Sequence, residues 1–128
     1  MSGYYYLASP YTKYPAGPEQ AFVDICKIAA KLMDADVQIF CPIAHTHPIA
    51  QFTTHDPLDS EFWLGTDHEL MKAAKTGLIV VQMESWEHSS GVLAEIKFFS
   101  EIGRPIWYLF PSDSGIEQFL DWHKGRNL

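Results

Sequence analysis

The chain is short of cysteine, short of cations and without a long apolar run, and each shortage removes a class of protein. Only two of its 128 residues are cysteine, Cys26 and Cys41. They fall in a predicted helix and a predicted strand with apolar neighbours, which reads as two buried thiols and not as a disulfide framework. Lys and Arg number nine against sixteen Asp and Glu, a formal net charge of -7. That sign is wrong for a nucleic-acid polymer or an anionic membrane, where binding comes from cations on phosphates. A single small phosphorylated molecule stays open as a partner, because backbone N–H groups can hold phosphate. No apolar stretch approaches the roughly 20 residues of a membrane span. The Met1-Ser2-Gly3-Tyr4 start has no basic region before an apolar run, so no signal peptide is expected and a reducing cytoplasm is the expected location.

Repeats, linkers and low-complexity tracts are missing as well. What remains is ordinary globular composition, 47% hydrophobic and 20% charged, at a length that suits one domain over residues 1–128. Residues 4–8 are short, aromatic and apolar and stop at Ser9-Pro10, the pattern of a buried strand. Residues 18–34 place Ala21, Phe22, Ile25, Ile28, Ala29 and Leu32 at helical spacing, with Pro18 in the first turn. Residues 37–41 form a second strand ended by Pro42. Residues 42–58 carry three prolines and three histidines, His45, His47 and His55, and read as a long functional loop. A helix is predicted over 59–76, capped by Asp59 or Ser60 and closed by Gly77. A buried strand at 78–83, a helix at 91–102, a strand at 106–110 and a helix at 114–123 complete the chain, with Ser114 as a cap.

The order βαβαβαβα implies parallel strands with helices on both faces. The expected architecture is three-layer α/β/α, a Rossmann- or flavodoxin-like parallel sheet of four to five strands. Ligands of such sheets sit at the carboxyl ends of the strands, near the reversal of strand order. That rule selects the segments 9–17, 42–57 and 84–90.

The third of these carries the sharpest constellation. A strand leads through Ser89-Ser90-Gly91 into a helix containing Glu95. Either serine can cap that helix, Gly91 admits a ligand to the backbone, and the free N–H groups favour an anion. The positive helix end is expected to help keep Glu95 ionised. Spacing alone favours a capped helix with a solvent-facing glutamate. The first strand adds Tyr6, whose hydroxyl needs a partner if buried, and the run Ala8-Ser9-Pro10-Tyr11 beyond it.

Tyr6-Leu-Ala-Ser-Pro, an aspartate in the helix before the third strand, and Ser-Ser-Gly-Val-x-x-Glu-Ile after it together resemble the nucleoside 2-deoxyribosyltransferase superfamily. The likeness spans about residues 4–110. That superfamily includes transferases and 2′-deoxynucleoside 5′-monophosphate N-glycosidases. The resemblance implies that Glu95 is a nucleophile, that Tyr6 orients it and that Asp67 gives the nucleobase a proton. Ser89 stands where the transferases carry a sugar-holding aspartate and the monophosphate hydrolases a phosphate-contacting serine, which tilts the expectation to a phosphorylated substrate. The family's residue supplied by a partner chain near the C-terminus has no match here, and residues 41–48 have no counterpart in the transferases. A homo-oligomer is expected by the same likeness.

The expected reaction is therefore cleavage of the base–sugar bond of a nucleotide or nucleoside, by hydrolysis or transfer, with no metal or redox cofactor. Ala8, Ser9, Pro10, Tyr11, His45, His47, Trp86, Ser89, Ser90 and Gly91 are the candidate substrate contacts, Trp86 because it could stack on a base. Two other readings compete. His45 and His47, two apart on an extended segment and near His55 and Asp56, could hold zinc and support a metal-dependent hydrolase. The same fold could also bind a nucleotide without turning it over.

Overall fold

A computed structural model describes residues 3–56 and 58–126, so the Met1-Ser2 start and Pro57 lie outside the described residues. The elements are β1 (Tyr5–Ala8), α1 (Pro18–Asp34), β2 (Ile39–Phe40), α2 (Pro42–Ala50), α3 (Ser60–Ala73), β3 (Gly77–Val81), α4 (Ser90–Glu101), β4 (Ile106–Leu109) and α5 (Asp113–Lys124), with one 3₁₀ turn at Trp86–His88. The four strands are all parallel, in the order β2-β1-β3-β4. The fold is mixed α/β with helices on both faces, and the strand order reverses between β1 and β3. None of the described helices is long and apolar enough to cross a membrane.

Strand alternation decides which residue meets which layer. Tyr5, Leu7, Ile79, Val81 and Leu109 point to the face covered by Ile25 and Leu32 of α1 and Phe119 of α5. Tyr6, Ala8, Leu78 and Val80 point to the opposite face, under Met71 of α3 and Val92 and Phe99 of α4. Adjacent tyrosines therefore serve opposite layers. Residues on β1 are no more than 1% exposed, as expected for a central parallel strand.

Local chemistry fixes the ends. The Asp59 carboxylate accepts from Phe62 N–H at 3.2 Å and starts α3. Arg104 closes the same helix by donating to the Met71 and Ala74 carbonyls at 3.0 and 3.2 Å. Gly77 takes φ 142, and a Cβ there would lie 2.6 Å from the Pro105 carbonyl oxygen, so β3 and β4 approach only because this residue has none.

Three expectations differ from the structure. Residues 42–50 are a helix, not a loop. Pro42 stands at its first position, where a missing N–H is harmless, and Thr46 Oγ1 donates back to the Pro42 carbonyl at 2.9 Å. Pro48 removes only the bond to Ala44, and the helix stops two residues later. The cap of α5 is Ser112, whose Oγ accepts from Gly115 N–H at 3.1 Å, not Ser114. Cys41 is buried as expected, but Cys26 is only half-buried.

Candidate active site

Tyr6, Asp67 and Glu95 come from β1, α3 and α4, and all three face the layer between the sheet and the last two. Tyr6 is there because of strand alternation. Asp67 sits mid-helix between the exposed residues Thr66 and His68, on the one face of α3 that turns inward. Glu95 follows the Ser89 cap, whose Oγ accepts from Val92 N–H at 3.3 Å, and falls in the second turn of α4. Their relative exposures are 0%, 5% and 8%.

Asp67 and Glu95 open into a cleft at the carboxyl ends of β1 and β3, where the strand order reverses. Ser9 and Tyr11 line it from the loop after β1, His47 from α2, and Ser89 and Gly91 from the start of α4. An added Cβ on Gly91 would meet nothing of the protein closer than Ser89 Oγ at 3.9 Å, so that backbone is open to the cleft. The far wall is apolar, made by Pro42, Ile43, Ala50, Trp63 and Leu64.

The polar atoms here are incompletely satisfied. Tyr6 Oη, Ser9 Oγ and one carboxyl oxygen of Asp67 are buried with no hydrogen-bond partner. Native interiors leave few such atoms. Tyr6 Oη misses hydrogen-bonding geometry to either carboxyl, yet it lies close enough for its dipole to act on both.

Burial dominates the electrostatics. It pushes Glu95 up to about 8, opposed by the Tyr6 hydroxyl and reinforced by the charge of Asp67. Burial also raises Asp67 to about 6, with His45 and the Tyr6 hydroxyl pulling the other way. Tyr6 rises far above its ordinary value, through burial first and then the two carboxylates. The expectation that the helix end keeps Glu95 ionised is thus overturned. A helix terminus acts over its first turn, and Glu95 lies one turn further in, where desolvation is larger. At neutral pH the pair holds about one proton between its two members. Burial also lifts the Cys41 thiol to about 12, which leaves no competing thiolate beside the carboxyls.

The remaining candidates divide. Ser9, Tyr11, His47, Ser89 and Gly91 line the cleft together with Asp67 and Glu95. Ala8 is core, and Pro10 is buried outside the lining. Ser90 is exposed at the first position of α4. Trp86 packs on Tyr108 with ring centroids 5.7 Å apart, away from the cleft. The indole at the cleft is Trp63, whose Nε1 donates to the Asp56 carbonyl at 2.9 Å. His45 is exposed over Phe40 and reaches Asp67 only through charge. Because α2 is helical, residues two apart point to opposite sides, so His45 and His47 do not converge. His55 stacks on Phe62 instead, and among the described residues no three His, Cys, Asp or Glu side chains gather as a metal site.

Sequence reasoning missed Thr12, Pro42, Ile43, Thr46, Ala50, Trp63 and Leu64 of the lining. Most lie on α2 and α3, and the available signal was proline at a first helical position with Thr46 four residues on.

A family model described as "Domain of unknown function (DUF1937)" matches residues 3–109, and the chain belongs to that family. No curated protein matches the chain.

Proposed function

We propose, starting from membership of a family without an assigned activity, that this protein cleaves the base–sugar bond of a nucleotide or nucleoside with Glu95 as nucleophile. One observation carries the reading. Two buried carboxyls form the floor of a cleft at the strand ends, with an apolar far wall and a buried phenol beside them outside the lining. A flat base fits against Trp63, Leu64 and Ile43, which places the sugar toward Glu95.

N-glycoside cleavage needs one ionised carboxylate and one acid, which is what a single shared proton provides. A Glu95 oxygen bonds the anomeric carbon as the C–N bond breaks. The bonding pair goes to the base nitrogen, and Asp67 donates the proton to the departing base. Water or a second base then displaces Glu95. The reaction needs the shared proton on Asp67 with Glu95 ionised, one of the two ways the pair can hold it. The Tyr6 dipole, close to both carboxyls, lowers the cost of ionising either one. The charge developing at the anomeric carbon favours the ionised Glu95 in the same step.

Incubation with the four 2′-deoxynucleosides and their 5′-monophosphates, followed by chromatography, should give free base. The rate should peak between about pH 6 and 8, where the pair holds one proton. Glu95→Gln should lower it about 10³-fold or more. Base release by the Gln variant at the wild-type rate would refute the nucleophile.

A second reading is a nucleotide-binding module without turnover. The burial that keeps Glu95 protonated at neutral pH favours it. Saturable binding with no free base after long incubation would select it. Leu93, Ile102, Tyr108 and Phe110 are exposed along α4 and the β4 edge, which supports the homo-oligomer that accompanies either reading.

A further inference from the structure

One wall of the cleft offers hydrogen-bond acceptors whose own protons are already committed. Glu19 Oε2 lies 2.7 Å from His47 Nε2. A carboxylate can only accept, so Nε2 carries the proton, and in that tautomer Nδ1 presents a lone pair. Tyr11 Oη stands 2.5 Å from that Nδ1 and therefore donates to it. The ring is held further by stacking on Phe22 at 4.5 Å and is nearly buried, with its side chain 10% exposed. With its proton fixed on His47, the Tyr11 oxygen has only lone pairs left for the cleft. Thr46, the next polar residue on the same wall, has its proton on the Pro42 carbonyl and is in the same position. Among the described residues no Lys or Arg lines the cleft, and its floor is two carboxyls.

We propose that Tyr11 is a specificity-determining residue that selects an uncharged N–H or O–H donor on the ligand, an amino-bearing ring over its oxo counterpart, with His47 and Glu19 as the positioning residues that make it acceptor-only. An oxo group on this wall would face lone pairs, and an oxyanion would meet them with no cation to compensate. An exocyclic amino group supplies the missing proton. The ring class rests on the glycosidase or nucleotide-binding reading above, but the acceptor-only character of the wall does not depend on bond cleavage.

The test is equilibrium binding to the Glu95→Gln protein, which needs no turnover, using 2′-deoxyadenosine against 2′-deoxyinosine and 2′-deoxycytidine against 2′-deoxyuridine. The amino member of each pair should bind about 10- to 100-fold more tightly, the range expected when a buried acceptor is left unpaired in one complex. Adding Tyr11→Phe should bring each ratio to within about threefold of unity, chiefly by weakening the amino compound. Glu19→Gln changes an exposed side chain and cannot unfold the core, so it is the control for Tyr11→Phe. By freeing the His47 tautomer it should narrow the ratio by about threefold or more. Equal binding of amino and oxo compounds, binding of neither up to millimolar concentration, or a ratio unmoved by both variants would overturn the proposal. Amino-selective binding by a wild-type protein that releases no base would refute only the glycosidase chemistry. Base release without amino preference would refute only this inference.

Discussion

Tyr5 and Tyr6 are chain neighbours with almost the same burial, and they are treated in opposite ways. The Tyr5 hydroxyl accepts from Arg126 at 2.9 Å and shares a hydrogen bond with His123 Nδ1 at 2.7 Å. Arg126 also reaches the Thr76 carbonyl at 3.0 Å and lies over the Trp122 ring at 4.8 Å. The Tyr6 hydroxyl has no hydrogen bond of good geometry, although its residue is wholly buried. One face of the sheet is saturated and holds the fold together. The other retains unpaired polar atoms and two carboxyls that burial keeps from ionising freely. Proteins tolerate such deficits where a ligand or a reaction uses them.

The comparison breaks most visibly in the pH dependence of stability. Glu95 titrates near 4.5 when unfolded and at about 8 when folded, so the native state holds the proton more tightly. Its contribution is fully present below pH 4.5 and is lost as pH rises through about 8. Asp67 acts in the same direction between its ordinary value and about 6. Urea unfolding of Glu95→Gln should therefore match wild type near pH 5 and show greater stability at pH 9, by on the order of 3 kcal/mol. A variant that is less stable than wild type at pH 9 would mean that Glu95 is held as an anion after all.

Exchanging each tyrosine for phenylalanine sharpens the contrast. Tyr5→Phe strands His123 and one donor of Arg126 and should cost about 1–3 kcal/mol in urea unfolding. Tyr6→Phe removes an oxygen with no partner and should be neutral or stabilising, by up to about 1 kcal/mol. Equal losses at the two positions would show that the Tyr6 hydroxyl is part of the fold's support. The smallest expected change is in Gly91→Ala. The new Cβ finds ordinary contact with the protein and a better helix former replaces glycine, so thermal unfolding should move by less than about 1 kcal/mol. The methyl enters the cleft, however, and nucleotide affinity measured by calorimetry should fall.

Much of this architecture was legible in the residues. The parallel alternation, the bounds of α1 and the buried run at β3 follow from apolar periodicity alone. The α2 helix was not, because prolines register as breakers unless their place in the turn is known. That omission carried a second one, since the wall bearing Thr46 and the separation of His45 from His47 both depend on α2. Between the tryptophans, Trp86 was favoured for standing beside Ser89, whereas Trp63 is at the cleft because of which face of α3 turns inward. Glu95 stands out by its place after the Ser89-Ser90-Gly91 turn, although spacing alone does not separate it from an exposed helix acid, and Asp67 is marked only by family likeness. The charge state of Glu95 depends on depth, which no local pattern encodes.

The Arg126 contacts bear on how the protein is made. Tyr5 and its two partners are separated by 118 and 121 residues of chain. On a ribosome the first strand emerges early, but its phenol must wait for nearly the whole sequence before it is satisfied. Its early neighbours, α1 and β2, give it hydrophobic cover and no polar partner. Such late closure belongs to folds with high contact order, whose assembly is paced by their longest loops. Residues 123–126 thus clasp the central strand across more than a hundred residues of intervening chain.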